Sequence, residues 1–128
     1  VQEARARGIA ICIHLIYGLP KETDTMMIQS LEEVLRIGLD GLKIHPLYVM
    51  EHTALAAMYR AGEYEPITLE RYGDLIVQSL LRIPNDVVLH RISAGVHSGD
   101  LLAPKWCLDK NIQMRYLREC LRKAGIEY

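Results

Sequence analysis

The sequence predicts an α/β fold, about three parallel strands with flanking helices, and three observations lead there. Strand-like and helix-like segments alternate in the order strand, helix, strand, helix, strand, helix, as right-handed crossovers require. The strand-like segments are nearly continuous apolar runs, the pattern of parallel strands covered on both faces. Their starts, near Ile9, Leu42 and Val87, lie 33 and 45 residues apart, against roughly 30 residues for one strand-helix unit of a TIM-type barrel. Three units do not close a barrel. The pattern therefore fits either a small open sheet or a partial TIM-type (β/α) barrel segment whose outer strand has a bare edge.

Each element has its own signal. The chain opens Val-Gln-Glu, and Glu3 to Gly8 reads as the end of a helix, so a piece of a longer protein is expected. Ile9 to Ile16 is β-branched and apolar, a buried strand, and Gly18-Leu19-Pro20 turns the chain out of it. Met27, Leu31, Val34 and Leu35 recur at helical spacing over about Asp24 to Ile37, with Gly38 as the stop. Leu42 to Tyr48 is a second strand, and Pro46 marks where its pairing ceases. Val49 to Pro66 is a detour of about a dozen residues beyond one barrel unit, holding a small helix, Thr53 to Arg60, and the turn-like Gly62-Glu-Tyr-Glu-Pro66. Thr68 suits a helix N-cap, with Glu70 in the first turn and Leu69, Tyr72, Leu75, Ile76, Ser79 and Leu80 as the buried stripe of a helix ending near Ile83. Asp86 to Ile92 is the third strand and Ser93 to Pro104 a loop. Asp109 to Ala124 is a last amphipathic helix, closed by Gly125.

Half of the 128 residues are apolar, enough for one domain over residues 1–128 with its own core. Fifteen basic residues against sixteen acidic ones leave a formal charge of −1. The basic residues are scattered, so nucleic acid is not indicated as a partner. The longest apolar run, Ile9 to Tyr17, is broken by His14 and too short for a bilayer, so no membrane association and a cytoplasmic location are expected. Cys12, Cys107 and Cys120 are too far apart for a disulfide framework or a metal motif. They are expected to be reduced and mostly buried, with no metal site.

Alternate residues of a strand face opposite ways, so Lys43 and His45 share the face turned away from the helices. In a barrel that face is the lumen; in an open sheet it meets solvent. His14 has the parity of Cys12 and Ile16 and is either a hydrogen-bonded core histidine or a lumen residue. His90 and Arg91 end the third strand at the corresponding level and face opposite ways, so one of them addresses the same site. His97 and Ser98-Gly99-Asp100 have the composition of a triad but no geometry to support one. For His52 solvation is the simplest account. Gly18, lacking a Cβ, admits a ligand or another backbone close to the strand end, or is an ordinary turn glycine. Glu22 suits the positive end of the following helix. Tyr48, Tyr59, Tyr64 and Tyr72, with Met50 and Met58, line a pocket or form a satellite apolar cluster.

The stretch HLIYGLPKETDTMM, followed by GLDGLKIHPLYVMEHTALAAMYRAGEYEPITLERY, resembles the C-terminal portion of radical S-adenosylmethionine (radical SAM) proteins, in particular a YhcC-like group of Fe-S oxidoreductases. The likeness runs from Arg5 to Leu102. It implies a partial (β/α)6 barrel whose fifth strand ends at Gly18 and whose sixth ends at His45. In such enzymes a strand-five motif, GxIxGxxE, packs near the cofactor adenine. Ile16 and Gly18 fit it, His14 stands where its first glycine would be, and Glu22 lies one residue beyond its acid. The resemblance thus makes Ile16, Gly18 and Leu19 cofactor-binding candidates, and His14, Lys43, His45 and His90 candidates for the substrate lumen. At His52-Thr53 relatives tend to show a glycine. The family's cysteine triplet, CxxxCxxC or a variant, has no counterpart here. S-adenosylmethionine and a 4Fe-4S cluster are therefore implied for the parent protein, neither fully bound by this fragment, which is expected to be inactive alone and to need the missing N-terminal part of the same barrel.

Two other readings are compatible with the residues. One is a non-catalytic α/β interaction domain that self-associates through its exposed strand edge. The other is a barrel aldolase or isomerase with Lys43 as a Schiff-base amine, which needs a depressed amine pKa. No substrate follows from the residues.

Overall fold

The computed structural model of the chain describes residues 1–96 and 99–128. The His97 and Ser98 part of the triad question lies outside the described residues. The element order is α1 (Gln2–Ala6), β1 (Cys12–Tyr17), α2 (Asp24–Ile37), β2 (Gly41–Pro46), β3 (Val49–Met50), α3 (Ala54–Arg60), α4 (Leu69–Leu80), β4 (Val88–Arg91), β5 (Leu101–Ala103), a 3-10 turn over Lys105–Leu108, and α5 (Lys110–Lys123). β1, β2 and β4 form one parallel sheet in that order. Cys12 pairs with Gly41, His14 with Lys43, Ile16 with His45 and Tyr17 with Pro46. The fold is the expected α/β arrangement of three parallel strands and flanking helices, with β1 and β4 as its two edge strands.

The apolar alternation decides which face the helices cover. Leu42, Ile44 and Tyr17 are buried, and with Met27, Leu31, Tyr72, Leu75, Ile76, Leu117 and Leu121 they build the main core between the sheet and α2, α4 and α5. Each such side chain contributes about 1.5–3 kcal/mol by leaving water. The opposite face carries Cys12, His14 and Ile16 on β1, which are exposed, and Lys43 and His45 on β2, which are half-buried. The helices start where short polar side chains satisfy free amides: Thr23, Thr53 and Thr68 accept from the amides of Met26, Ala56 and Arg71. Asp109 does the same for Asn111 and Ile112 at the head of α5.

Several boundaries differ from those the sequence suggests. β1 begins at Cys12 rather than Ile9, because Ile9 is exposed and Ala10 belongs to the approach from α1. The tail of the second predicted strand separates as β3, and the predicted loop Ser93 to Pro104 contains β5; the two pair antiparallel, Val49 with Ala103 and Met50 with Leu101. Strands of two and three residues are too short to show an alternation, so periodicity misses them. The detour, with β5 paired to it, forms a cap at the carboxyl end of β1, where Tyr64 and Ile67 meet Gly18. The tyrosines considered as one cluster divide accordingly. Tyr64 is buried with Val49, Ala56 and Ala103, against which Met58 and Tyr59 pack; Tyr48 and Met50 lie with Val96 and Leu101; Tyr72 joins the main core.

Candidate functional site

β1 ends in a turn whose geometry is set by two residues with positive φ. Gly18 has φ +103° and Lys21 has φ +62°, and the amide of Glu22 donates to the carbonyl of Leu19 at 3.1 Å. Pro20 and Lys21 thus occupy the central positions of a turn that needs positive φ at its third residue, where glycine or asparagine is usual. Gly18 itself is buried. A Cβ there would lie 3.1 Å from Cγ2 of Ile67, and the Gly18 carbonyl accepts a hydrogen bond from the Tyr64 hydroxyl at 2.6 Å. The space freed by the missing side chain is filled by the cap. Burial pushes the Tyr64 phenol up to about 12, so it remains a donor under ordinary conditions.

What the turn offers to its surroundings is its two flanking apolar side chains. Ile16 is 38% and Leu19 42% exposed. They border a hollow of about 270 Å³ that is also lined by His14, Glu22 and Ser30. Glu22 has its carboxyl raised above the usual range by partial burial. Its place just before the Thr23 cap agrees with the favourable end of α2. Across the sheet, His14 and Lys43 are register partners, as are Ile16 and His45, so these four side chains form two adjacent rows on the face away from the helices. The Nδ1 of His45 stands 3.3 Å from the Pro46 carbonyl.

His90 sits lower than the sequence suggests. Leu42 pairs with Leu89 and Lys43 with Arg91, so His90 is an extra residue in β4, a bulge. Its ring lies over the start of β2, with Nε2 2.6 Å and Sγ of Cys12 3.4 Å from where a Gly41 Cβ would stand. His90 therefore belongs to the level of Cys12 and Gly41, not to the carboxyl ends where Ile16 and His45 lie. The extra residue is what lowers it, and nothing in the sequence announces a bulge.

The cysteines occupy three different elements. Cys12 is exposed on β1, Cys107 is buried in the 3-10 turn, and Cys120 is half-buried on α5. Against the expectation that the three are mostly buried, Cys107 is buried, Cys120 is half-buried and Cys12 is exposed. Among the described residues no three His, Cys, Asp or Glu side chains come together as a metal-binding set, and no helix is long and apolar enough to cross a membrane. The features that sequence reasoning missed are the two supports of the Gly18 turn. Tyr64 and Ile67 lie 46 and 49 residues after Gly18, and only their burial, not their spacing, couples them to it.

The family model described as Radical_SAM C-terminal domain matches residues 39–123. The chain belongs to that family. Similarity to longer relatives extends beyond that segment. The protein YhcC of Escherichia coli K12 is 38% identical over 126 residues, 98% of this chain and 41% of YhcC. YtqA of Bacillus subtilis is 31% identical over 110 residues, 86% of this chain and 34% of YtqA. This radical SAM domain thus spans about two fifths of the curated relatives it matches. Its fold is also that of part of an N-terminally deleted archaeal Elp3 from Methanocaldococcus infernus, with a TM-score of 0.83 at 22% identity, over 96% of this chain and 29% of that one.

Proposed function

We propose that this radical SAM domain is the distal wall of a larger barrel, with Ile16 and Leu19 forming one apolar face of the S-adenosylmethionine site and His14, Lys43 and His45 lining the substrate lumen. The observation that carries the reading is the pair of exposed apolar side chains at the carboxyl end of β1. Ligands of parallel α/β folds bind beyond carboxyl strand ends. An adenine ring fits an isoleucine and a leucine that the protein leaves uncovered. Gly18 serves this wall from behind, by letting the chain turn, while its own surface faces Ile67 and Tyr64. Ile16 and Leu19 would hold the adenine by apolar contact, and His14 and Lys43 would offer hydrogen bonds and charge to the substrate.

The parent protein's 4Fe-4S cluster and S-adenosylmethionine supply one-electron chemistry when bound. Cys12, Cys107 and Cys120, on separate elements, do not form a ligand set for the cluster, so its ligands come from elsewhere in the parent and this segment is inactive alone. The edge of β1 is the place where the preceding barrel strand pairs. His90, at the lower level, lines the lumen floor. Chemistry confined to such a protein belongs in the cytoplasm, where thiols and clusters stay reduced.

The test uses the full-length protein with its cluster reconstituted under anaerobic conditions. Ile16→Asp and Leu19→Asp are expected to weaken S-adenosylmethionine binding at least tenfold, measured by equilibrium dialysis, with melting temperatures near that of the unaltered protein. Unchanged binding in both variants overturns the reading. A second reading, self-association of this segment through the β1 edge, is favoured by the six-residue strand that lacks a partner on its outer side among the described residues. Sedimentation of the 128-residue chain decides it, since a monomer at tens of micromolar excludes a stable dimer.

A further inference from the structure

The cap meets the Gly18 turn at the end of β1 through residues that lie in neither the strand nor its turn. Tyr64 follows α3, in the segment between Ala61 and Thr68, and its ring is buried with Val49, Ala56 and Ala103. Its hydroxyl reaches out of that cluster to donate to the Gly18 carbonyl at 2.6 Å. Ile67, three residues on, packs where a Gly18 side chain would be. Ile67 is in turn held by Trp106, whose indole Nε1 donates to its carbonyl at 3.0 Å. The Gly18 peptide is therefore gripped on its carbonyl and on its bare α-carbon by two residues of one short segment.

We propose that Tyr64 is a positioning residue for the cofactor wall: its hydrogen bond to the Gly18 carbonyl sets the direction in which Leu19 leaves the turn, and so the shape of the apolar face that Ile16 and Leu19 present. This rests on the wall assignment made above and extends it to a residue that does not touch the cofactor. A glycine at φ +103° has no side chain to restrain it. With the carbonyl released, the 18–19 peptide is free to rotate, and Leu19, 42% exposed, has little packing of its own to keep it in place. Replacing the phenol by phenyl leaves the ring packing intact and removes only the donor. The expected effect is on the turn rather than on the fold.

Full-length reconstituted protein carrying Tyr64→Phe provides the test, beside Ile16→Asp and Leu19→Asp. Two readouts are taken without turnover: the dissociation constant for S-adenosylmethionine, and amide hydrogen exchange of the peptide covering residues 17–23 before cofactor is added. Tyr64→Phe is expected to speed exchange in that peptide and to weaken cofactor binding about three- to tenfold, with the exchange of α4 and α5 unchanged. Faster exchange in the turn with unaltered binding overturns the positioning role, as does an unaltered turn. If Ile16→Asp and Leu19→Asp also leave binding unchanged, the wall assignment itself has failed; if they weaken it while Tyr64→Phe does not, only the role of Tyr64 has. Should Tyr64→Phe not fold, Ile67→Ala loosens the same turn from its other support without touching the hydroxyl. Faster turn exchange with weaker cofactor binding then supports the coupling of cap to wall, and unaltered binding overturns it.

Discussion

The phenol oxygen of Tyr17, the last residue of β1, stands 2.6 Å from the hydroxyl of Ser79 on α4, both of them buried. Ser79 already donates its single proton to the carbonyl of Leu75 at 2.7 Å, so the proton between the two side chains is that of Tyr17. The phenol keeps it, because burial raises its pKa further than the serine contact lowers it. Strand and helix are thus tied by a directed bond within a largely apolar layer. Tyr17 and Tyr72 meet edge to face beside it, at 6.4 Å between ring centres.

The direction of that bond predicts an asymmetry. Tyr17→Phe removes the donor and leaves Ser79 still bonded to Leu75, at a cost of about 1 kcal/mol. Ser79→Ala leaves a buried phenol with no partner and costs more, about 2 kcal/mol. The double variant is expected to cost less than the two together, since the second change removes the group the first one orphaned. Urea unfolding of the four proteins measures all three quantities. Equal losses for the two single variants would contradict the assigned direction.

A second prediction concerns His52. It has φ +66° in the turn between β3 and α3, closed by the Thr53 hydroxyl donating to the Met50 carbonyl at 2.7 Å. A side chain in the left-handed region costs about 1–2 kcal/mol, part of which glycine returns through its freer unfolded chain. His52→Gly is expected to raise stability by about 0.5–1 kcal/mol, whereas His52→Ala, which keeps the Cβ, is expected to gain nothing. Paired thermal melts separate these outcomes.

The thiols and phenols yield a third. Cys107 is fully buried and its thiol is pushed up to about 12, whereas Cys12 is exposed and Cys120 half-buried. Alkylation by iodoacetamide at pH 8, followed by mass spectrometry, is expected to mark Cys12 first, Cys120 next and Cys107 only on unfolding. An unfolded chain gives up its thiol and phenol protons near the ordinary values of 9 and 10, the native one gives up those of Cys107 and Tyr64 only near 12. This contribution to stability is therefore complete below pH 9 and drains away as the pH climbs towards 12. Urea midpoints across that range check it, and Tyr64→Phe is expected to flatten the upper part of the slope.

Much of the fold is legible because long elements repeat their signals. The span Asp24 to Ile37, the Thr68 cap and the parity that separates Leu42 and Ile44 from Lys43 and His45 all follow from periods of 3.6 and 2 and from local hydrogen bonding. The resemblance carried by the Gly18 and His45 stretches agrees with the family to which the chain belongs. What stays hidden is whatever depends on distant partners. β3 and β5 are too short for a pattern. The extra residue that lowers His90 shows only in the strand register. Gly18 is legible as a glycine that something approaches closely, but that the something is Ile67 and Tyr64 requires the cap to fold back over the strand end.

Trp106 addresses position 67 through a hydrogen bond to its main-chain oxygen. Every amino acid carries that oxygen, so this tether between the indole and the segment survives changes of side chain at 67, while drift there is filtered by how well the newcomer fills the core and nestles against Gly18. One locus thus answers to two masters, one indifferent to its identity and the other demanding about its bulk.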